Sequence, residues 1–157
     1  MKEFKVKTVV KDPFISSYTV ILESIDEVTL VPLPVGPFEA EAIFNVLSSI
    51  KYPRPMTYDL MSNLLKQLGD VKVNKMLIDS FDDGIFTAKL ELNHSGNILV
   101  IDCRPSDGIA LSLRMKYPIY IDESVVQRKK CISRNCLNEH EKVLLEQLLM
   151  DQEVTYL

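Results

Sequence analysis

The chain has no tryptophan and only two histidines, His94 and His140, which leaves little room for any chemistry that needs several imidazoles. What remains for acid, base or binding work is a set of carboxylates, arginines and hydroxyls. Cysteine is also scarce, at three residues in a chain of 157, and the odd number argues against a disulfide framework. No apolar run approaches the ~18 residues of a membrane-crossing helix, and Met1-Lys2-Glu3-Phe4-Lys5 lacks the apolar stretch of a secretion signal. The expectation is a cytoplasmic protein without a membrane partner. Positive charge is in deficit as well, with 18 Lys and Arg against 22 Asp and Glu, a net charge of −4. A protein that coats nucleic acid by bulk electrostatics has the opposite sign, so any contact with phosphate must be local.

What is present is an ordinary core-forming composition, 46% hydrophobic, long enough for one principal domain. Residues 2–11 alternate, with Phe4, Val6, Thr8 and Val10 on one face, as in a half-buried strand. Tyr18–Leu22 and Val28–Leu33 read as two further strands. Gly36-Pro37 opens a helix carrying Ile43, Val46, Leu47 and Ile50 at helical spacing, which Tyr52-Pro53 closes. Thr57 reads as the N-cap of a second helix, with an apolar stripe of Leu60, Met61, Leu64, Leu65 and Leu68.

Val71–Phe81, Ile85–Leu92 and Ile98–Cys103 form an expected antiparallel meander, joined by Asp82-Asp83-Gly84 and His94-Ser95-Gly96-Asn97. A helix follows Arg104, and Pro118–Ile121 gives a last strand. The expected fold is α+β, a mixed or antiparallel sheet of about six or seven strands packed with three or four helices. Residues 1–126 make the domain. Residues 127–157 read as a basic linker, containing Arg128-Lys129-Lys130, and an amphipathic helix over 138–152.

Two corners repeat a pattern: Arg54-Pro55-Met56-Thr57-Tyr58-Asp59 and Arg104-Pro105-Ser106-Asp107 each set Arg-Pro before a hydroxyl, an aspartate and a helix. Proline holds the preceding arginine extended, and the free N–H groups of a helix start favour an anion that a guanidinium can clamp. Arg54, Arg104, Thr57 and Ser106 are therefore the candidate phosphate-binding residues. Asp59, Asp102, Asp107 and Glu39 are the candidate catalytic carboxylates, with Asp102 and Asp107 able by spacing to share a divalent cation such as magnesium or manganese. The alternative is structural: the aspartates cap their helices and pair with the arginines before them. Cys131, Cys136 and His140 have partial zinc spacing but lack a fourth ligand.

Three segments, Leu33-Pro34-Val35-Gly36-Pro37-Phe38-Glu39-Ala40, Arg54-Pro55-Met56-Thr57-Tyr58-Asp59-Leu60 and Ile101-Asp102-Cys103-Arg104-Pro105-Ser106-Asp107-Gly108-Ile109-Ala110-Leu111, resemble the bifunctional nuclease family of small bacterial and plant proteins. The resemblance covers about residues 4–126. It implies an α+β homodimer that cleaves DNA and RNA. Two positions depart from the family pattern: Tyr58 stands where histidine is usual, and Cys103 where alanine or serine is usual. A phenol cannot replace an imidazole base at neutral pH. The competing function is a non-catalytic oligomeric module that binds a small anionic ligand or a protein.

Overall fold

A computed structural model describes residues 1–11, 17–26, 29–128 and 143. The expected C-terminal helix, except for Val143, and the Cys131, Cys136 and His140 set lie outside these residues. The elements run β1 (Lys2–Lys11), β2 (Tyr18–Ser24), β3 (Leu30–Val35), α1 (Pro37–Leu47), α2 (Thr57–Gln67), β4 (Val71–Asp82), β5 (Ile85–His94), β6 (Asn97–Cys103), α3 (Pro105–Met115), β7 (Ile119–Ile121) and α4 (Glu123–Arg128). The fold is α+β, as the sequence implies.

Seven strands form one mixed sheet in the order β3-β2-β1-β7-β4-β5-β6. Its two halves, β1-β2-β3 and β4-β5-β6, are antiparallel meanders. In the second half, Asp83-Gly84 and Ser95-Gly96 take positive φ at both turn positions, the geometry whose twist matches that of a hairpin's strands. β7 joins the halves, pairing antiparallel with β1 and parallel with β4. Three residues suffice because Ile119 and Ile121 are buried in the core. Pro32 and Pro34 sit in β3 without breaking the sheet because β3 is an edge strand, where one side of the backbone has no ladder to lose.

α1 packs on β1 and β2, α3 packs on β4 and β5, and both α1 and α2 lean on α3. α3 is the most deeply set helix, with Ile109, Ala110 and Leu111 almost fully buried. It approaches β4 so closely that a Cβ on Gly108 would lie 2.5 Å from Met76 Sδ. Around this contact, Leu22, Ile43, Met76, Ile78 and Ile121 make a continuous core.

Three details of the helices differ from expectation. Met56 is the N-cap of α2 and Thr57 is already its first helical residue; the open N–H of Met56 is taken up by the Asp59 carboxylate at 2.9 Å. Ile50 lies beyond α1, which stops at Leu47. The leucine stripe of α2 is helical but turns outward: Leu60, Leu64 and Leu68 are all more than half exposed, while Ser62 is buried and Tyr58 and Leu65 face the core.

Candidate functional site

The N-termini of α1, α2 and α3 converge on a polar cluster, α1 delivering Glu39, α2 Tyr58, and α3 both Arg104 and Asp107. Arg104, at the N-cap of α3 and extended as its following proline requires, folds its guanidinium over its own helix start. Nε donates to Asp107 Oδ2 at 2.7 Å and Nη2 to Asp107 Oδ1 at 2.9 Å, a bidentate pair. The same Nη2 lies 2.8 Å from Glu39 Oε1, on the first turn of α1. The Tyr58 hydroxyl, from α2, donates to Asp107 Oδ1 at 2.6 Å.

Asp107 thus accepts three charge-assisted or hydroxyl bonds, and both of its oxygens are engaged. Glu39 is different. Its Oε1 faces Arg104, whereas its Oε2 has no hydrogen-bond partner among the described residues and lies back over Gly36, where an added Cβ would come within 2.4 Å of it. Arg104 remains 68% exposed at its side chain while Glu39 is only 13% exposed. The guanidinium is held from below and open above.

The charges set the protonation states. Asp107 first, then Glu39, hold Arg104 firmly protonated. Burial, followed by the hydrogen bond and negative charge of Asp107, pushes the Tyr58 phenol well above its ordinary value, so it stays a proton donor. Burial and then the charges of Asp102, Asp107 and Asp79 push the Cys103 thiol up to about 11, which leaves it a neutral thiol at physiological pH.

The candidate residues do not all meet. Glu39, Arg104 and Asp107 come together. Asp59 is one position along α2 from Tyr58 but serves another bond: Arg114 of α3 donates Nε to its Oδ1 at 2.6 Å, and the Arg114 Nη atoms donate to the carbonyls of Ala42 and Ala110. Burial raises the Asp59 pKa, but Arg114 and the Met56 N–H outweigh it and hold the carboxyl below its ordinary range. Asp102 lies on exposed β6 opposite Lys89, with no hydrogen bond or ion pair to the cluster. Ser106 is buried in the first turn of α3.

Arg54 and Thr57 line a cleft of about 840 Å³ between α1, the segment 48–56 and the start of α2. Glu39 and Tyr58 line it too, so the Arg104–Asp107 pair stands at its end.

Among the described residues, no three His, Cys, Asp or Glu side chains come together to hold a metal ion. Glu39 and Asp107 are drawn together by a guanidinium, whose charge opposes a cation in the same place. The donor set does not fit a protein-held divalent cation.

The family model described as the bifunctional nuclease domain matches residues 20–134, well over half of the chain and all three of the segments that build this cluster. The chain belongs to the bifunctional nuclease domain family. An uncharacterized protein of Mycobacterium tuberculosis strain H37Rv is 33% identical over 96 residues, covering 61% of this chain and 56% of the relative. "Bifunctional nuclease 1" of Oryza sativa subsp. japonica is 25% identical over 100 residues, 61% of this chain and 30% of the plant protein. "Bifunctional nuclease 2" of the same plant is 26% identical over 101 residues, 62% of this chain and 30% of the relative. The chain therefore spans about half of the mycobacterial relative and under a third of the plant ones.

Within this bifunctional nuclease domain, two participants escape a reading of motifs. Tyr58 stands out in sequence as a replaced histidine, and its bond to Asp107 needs the α2–α3 packing to be seen. Arg114 carries no motif signal, because an arginine in the last turn of a helix is ordinary chemistry for that position.

Proposed function

We propose that this chain hydrolyses phosphodiester bonds of RNA or DNA at the Glu39–Arg104 end of the cleft. The observation that carries the proposal is the exposed guanidinium fixed by Asp107 beside a carboxylate with one free oxygen. Arg104 Nη1 has no partner among the described residues, and it donates to a non-bridging phosphate oxygen, stabilising the charge that builds up at phosphorus. Glu39 Oε2 accepts a proton from a water molecule, whose oxygen bonds to phosphorus as the bond to the leaving sugar oxygen breaks. The leaving oxygen takes its proton from solvent.

Asp107 and Tyr58 are positioning residues that keep Arg104 in one rotamer. Tyr58 is not the base, since its proton is held too tightly. Arg54 and Thr57 meet neighbouring phosphates along the cleft. Magnesium or manganese enters this reading only as an ion that arrives on the substrate's phosphates, in the manner of sites with few carboxylates.

The test is cleavage of RNA and DNA by parent and Glu39→Gln proteins, with magnesium, with manganese and with a chelator. The expected result is a loss of about 100-fold or more in the variant, in the range of general-base catalysis, at an unchanged thermal midpoint. Equal cleavage by both proteins overturns it. The competing reading, a non-catalytic binding module, is favoured by one observation, the saturation of Asp107 by three bonds. It predicts no cleavage by the parent protein together with thermal stabilisation by nucleotides.

A further inference from the structure

The cleft beside the Arg104 cluster has features that phosphate hydrolysis alone does not use. Phe38, in the first turn of α1, is 81% exposed, an unusual place for a phenyl ring unless a ligand covers it. Tyr52 stands in the same lining, and its hydroxyl is tied on two sides: it donates to Glu41 Oε1 at 3.0 Å and accepts from Asn45 Nδ2 at 3.4 Å. The ring is thereby pre-oriented, which reduces the entropy lost when something stacks on it. Lys51 and Arg54 flank Tyr52 in sequence, line the same hollow, and have no ion-pair partner among the described residues.

We infer that this cleft takes one or two unpaired nucleotides, so that the substrate class is single-stranded nucleic acid, with bases against Phe38 and Tyr52 and phosphates on Lys51 and Arg54. The inference rests on the nuclease reading and names its substrate. Aromatic faces interleaved with cations are the means by which single strands are held without regard to sequence. The volume of about 840 Å³ is that of a small-molecule site and admits splayed nucleotides. A duplex keeps its bases stacked on one another and hides them from Phe38 and Tyr52. It also brings a second row of phosphates toward a chain of net charge −4, with Glu41 on the cleft wall.

The test is fluorescence anisotropy with a labelled decamer of mixed sequence, as RNA and as DNA, with all proteins carrying Glu39→Gln so that the strand stays whole. The same decamer is then measured as a duplex, and adenosine monophosphate is added as competitor. The expected result is about tenfold tighter binding of the single strand than of the duplex, with Phe38→Ala and Tyr52→Ala each weakening it by about tenfold, as loss of one stacked base does. Tyr52→Phe, which keeps the ring but not the hydroxyl bonds that orient it, binds between the parent and Tyr52→Ala. Thermal midpoints of all variants are measured alongside, and these exposed positions should leave them unchanged.

Equal affinity for duplex and single strand, or alanine variants that bind like the parent, overturns the inference. So does complete displacement by adenosine monophosphate at the strand's own nucleotide concentration, which marks a free-nucleotide pocket. Cleavage by the parent with no strand preference leaves the nuclease reading standing and removes this one. Tight, ring-dependent binding of single strands without cleavage does the reverse.

Discussion

In the proposed reaction Glu39 acts through one oxygen, Oε2, and the residue that leaves room for it is three positions away. Gly36 has an extended backbone with φ −71°, so a side chain there meets no backbone strain. The Cβ would instead meet Glu39 Oε2 at 2.4 Å, and since a carboxylate at the end of a flexible side chain moves easily, the glutamate swings away from Arg104 rather than the helix shifting. Gly36→Ala is therefore expected to keep stability within about 0.5 kcal/mol, as surface substitutions usually do, while cutting cleavage by tenfold or more. Thermal melting and a cleavage assay on the same preparation check it. A large fall in melting temperature, or full activity, would show that Glu39 has no fixed position to lose. The sequence marked Gly36 as a helix start and Glu39 as a counterpart of the aspartates, which is correct as far as element position goes. That the glutamate lies back over its own N-cap goes with its ion pair to Arg104, far along the chain at the start of α3, and no local pattern carries it.

At the scale of elements, the two repeated Arg-Pro corners look alike in sequence and behave differently in structure. At the start of α3 the arginine clamps its own aspartate, the structural reading of the pattern, yet stays exposed enough to bind an anion. At the start of α2, Arg54 makes no such pair, and Asp59 both caps Met56 and holds Arg114. The difference follows from what each helix packs against, since α3 is buried on the sheet while α2 packs mainly on α3 and touches the sheet only at β4. Asp59→Ala should therefore cost about 2 kcal/mol, one cap and one charge-assisted bond, whereas Thr57→Ala should be near neutral because Thr57 is not the cap. Urea unfolding of the two variants separates these outcomes; a larger loss at Thr57 would contradict the geometry.

The pH dependence has a definite sign. Because folding lowers the Asp59 pKa, its contribution is complete above the unfolded value of about 4 and is lost as pH falls through the folded value. The difference between parent and Asp59→Ala should shrink in acid. Strands and turns were legible because their signals are local, as in Asp83-Gly84 and Ser95-Gly96. The outward leucines of α2 were not, since periodicity identifies a stripe without saying which side of it meets the core.

On the scale of the whole molecule, charge decides how nucleic acid is met. Three cations serve the proposed strand path, Lys51 and Arg54 in the cleft and Arg104 at its end, while the chain as a whole carries −4. A long-range field therefore repels polyanions, and affinity must come from stacking and from these few contacts. Each phosphate neutralised on a single strand adds about −0.7 to the slope of log K against log salt, so three contacts predict a slope of about −2. Arg54→Gln should flatten it by about 0.7, while Tyr52→Ala should weaken binding at every salt concentration without changing the slope. Anisotropy titrations between low and high salt measure both numbers on one instrument. A slope of about −4 or steeper would require additional cations and move the strand away from the cleft, toward basic residues such as Arg128 beyond β7. A shallow slope that Arg54→Gln leaves unchanged would instead mean that phosphate is held by Arg104 alone, at the site where the bond is cut.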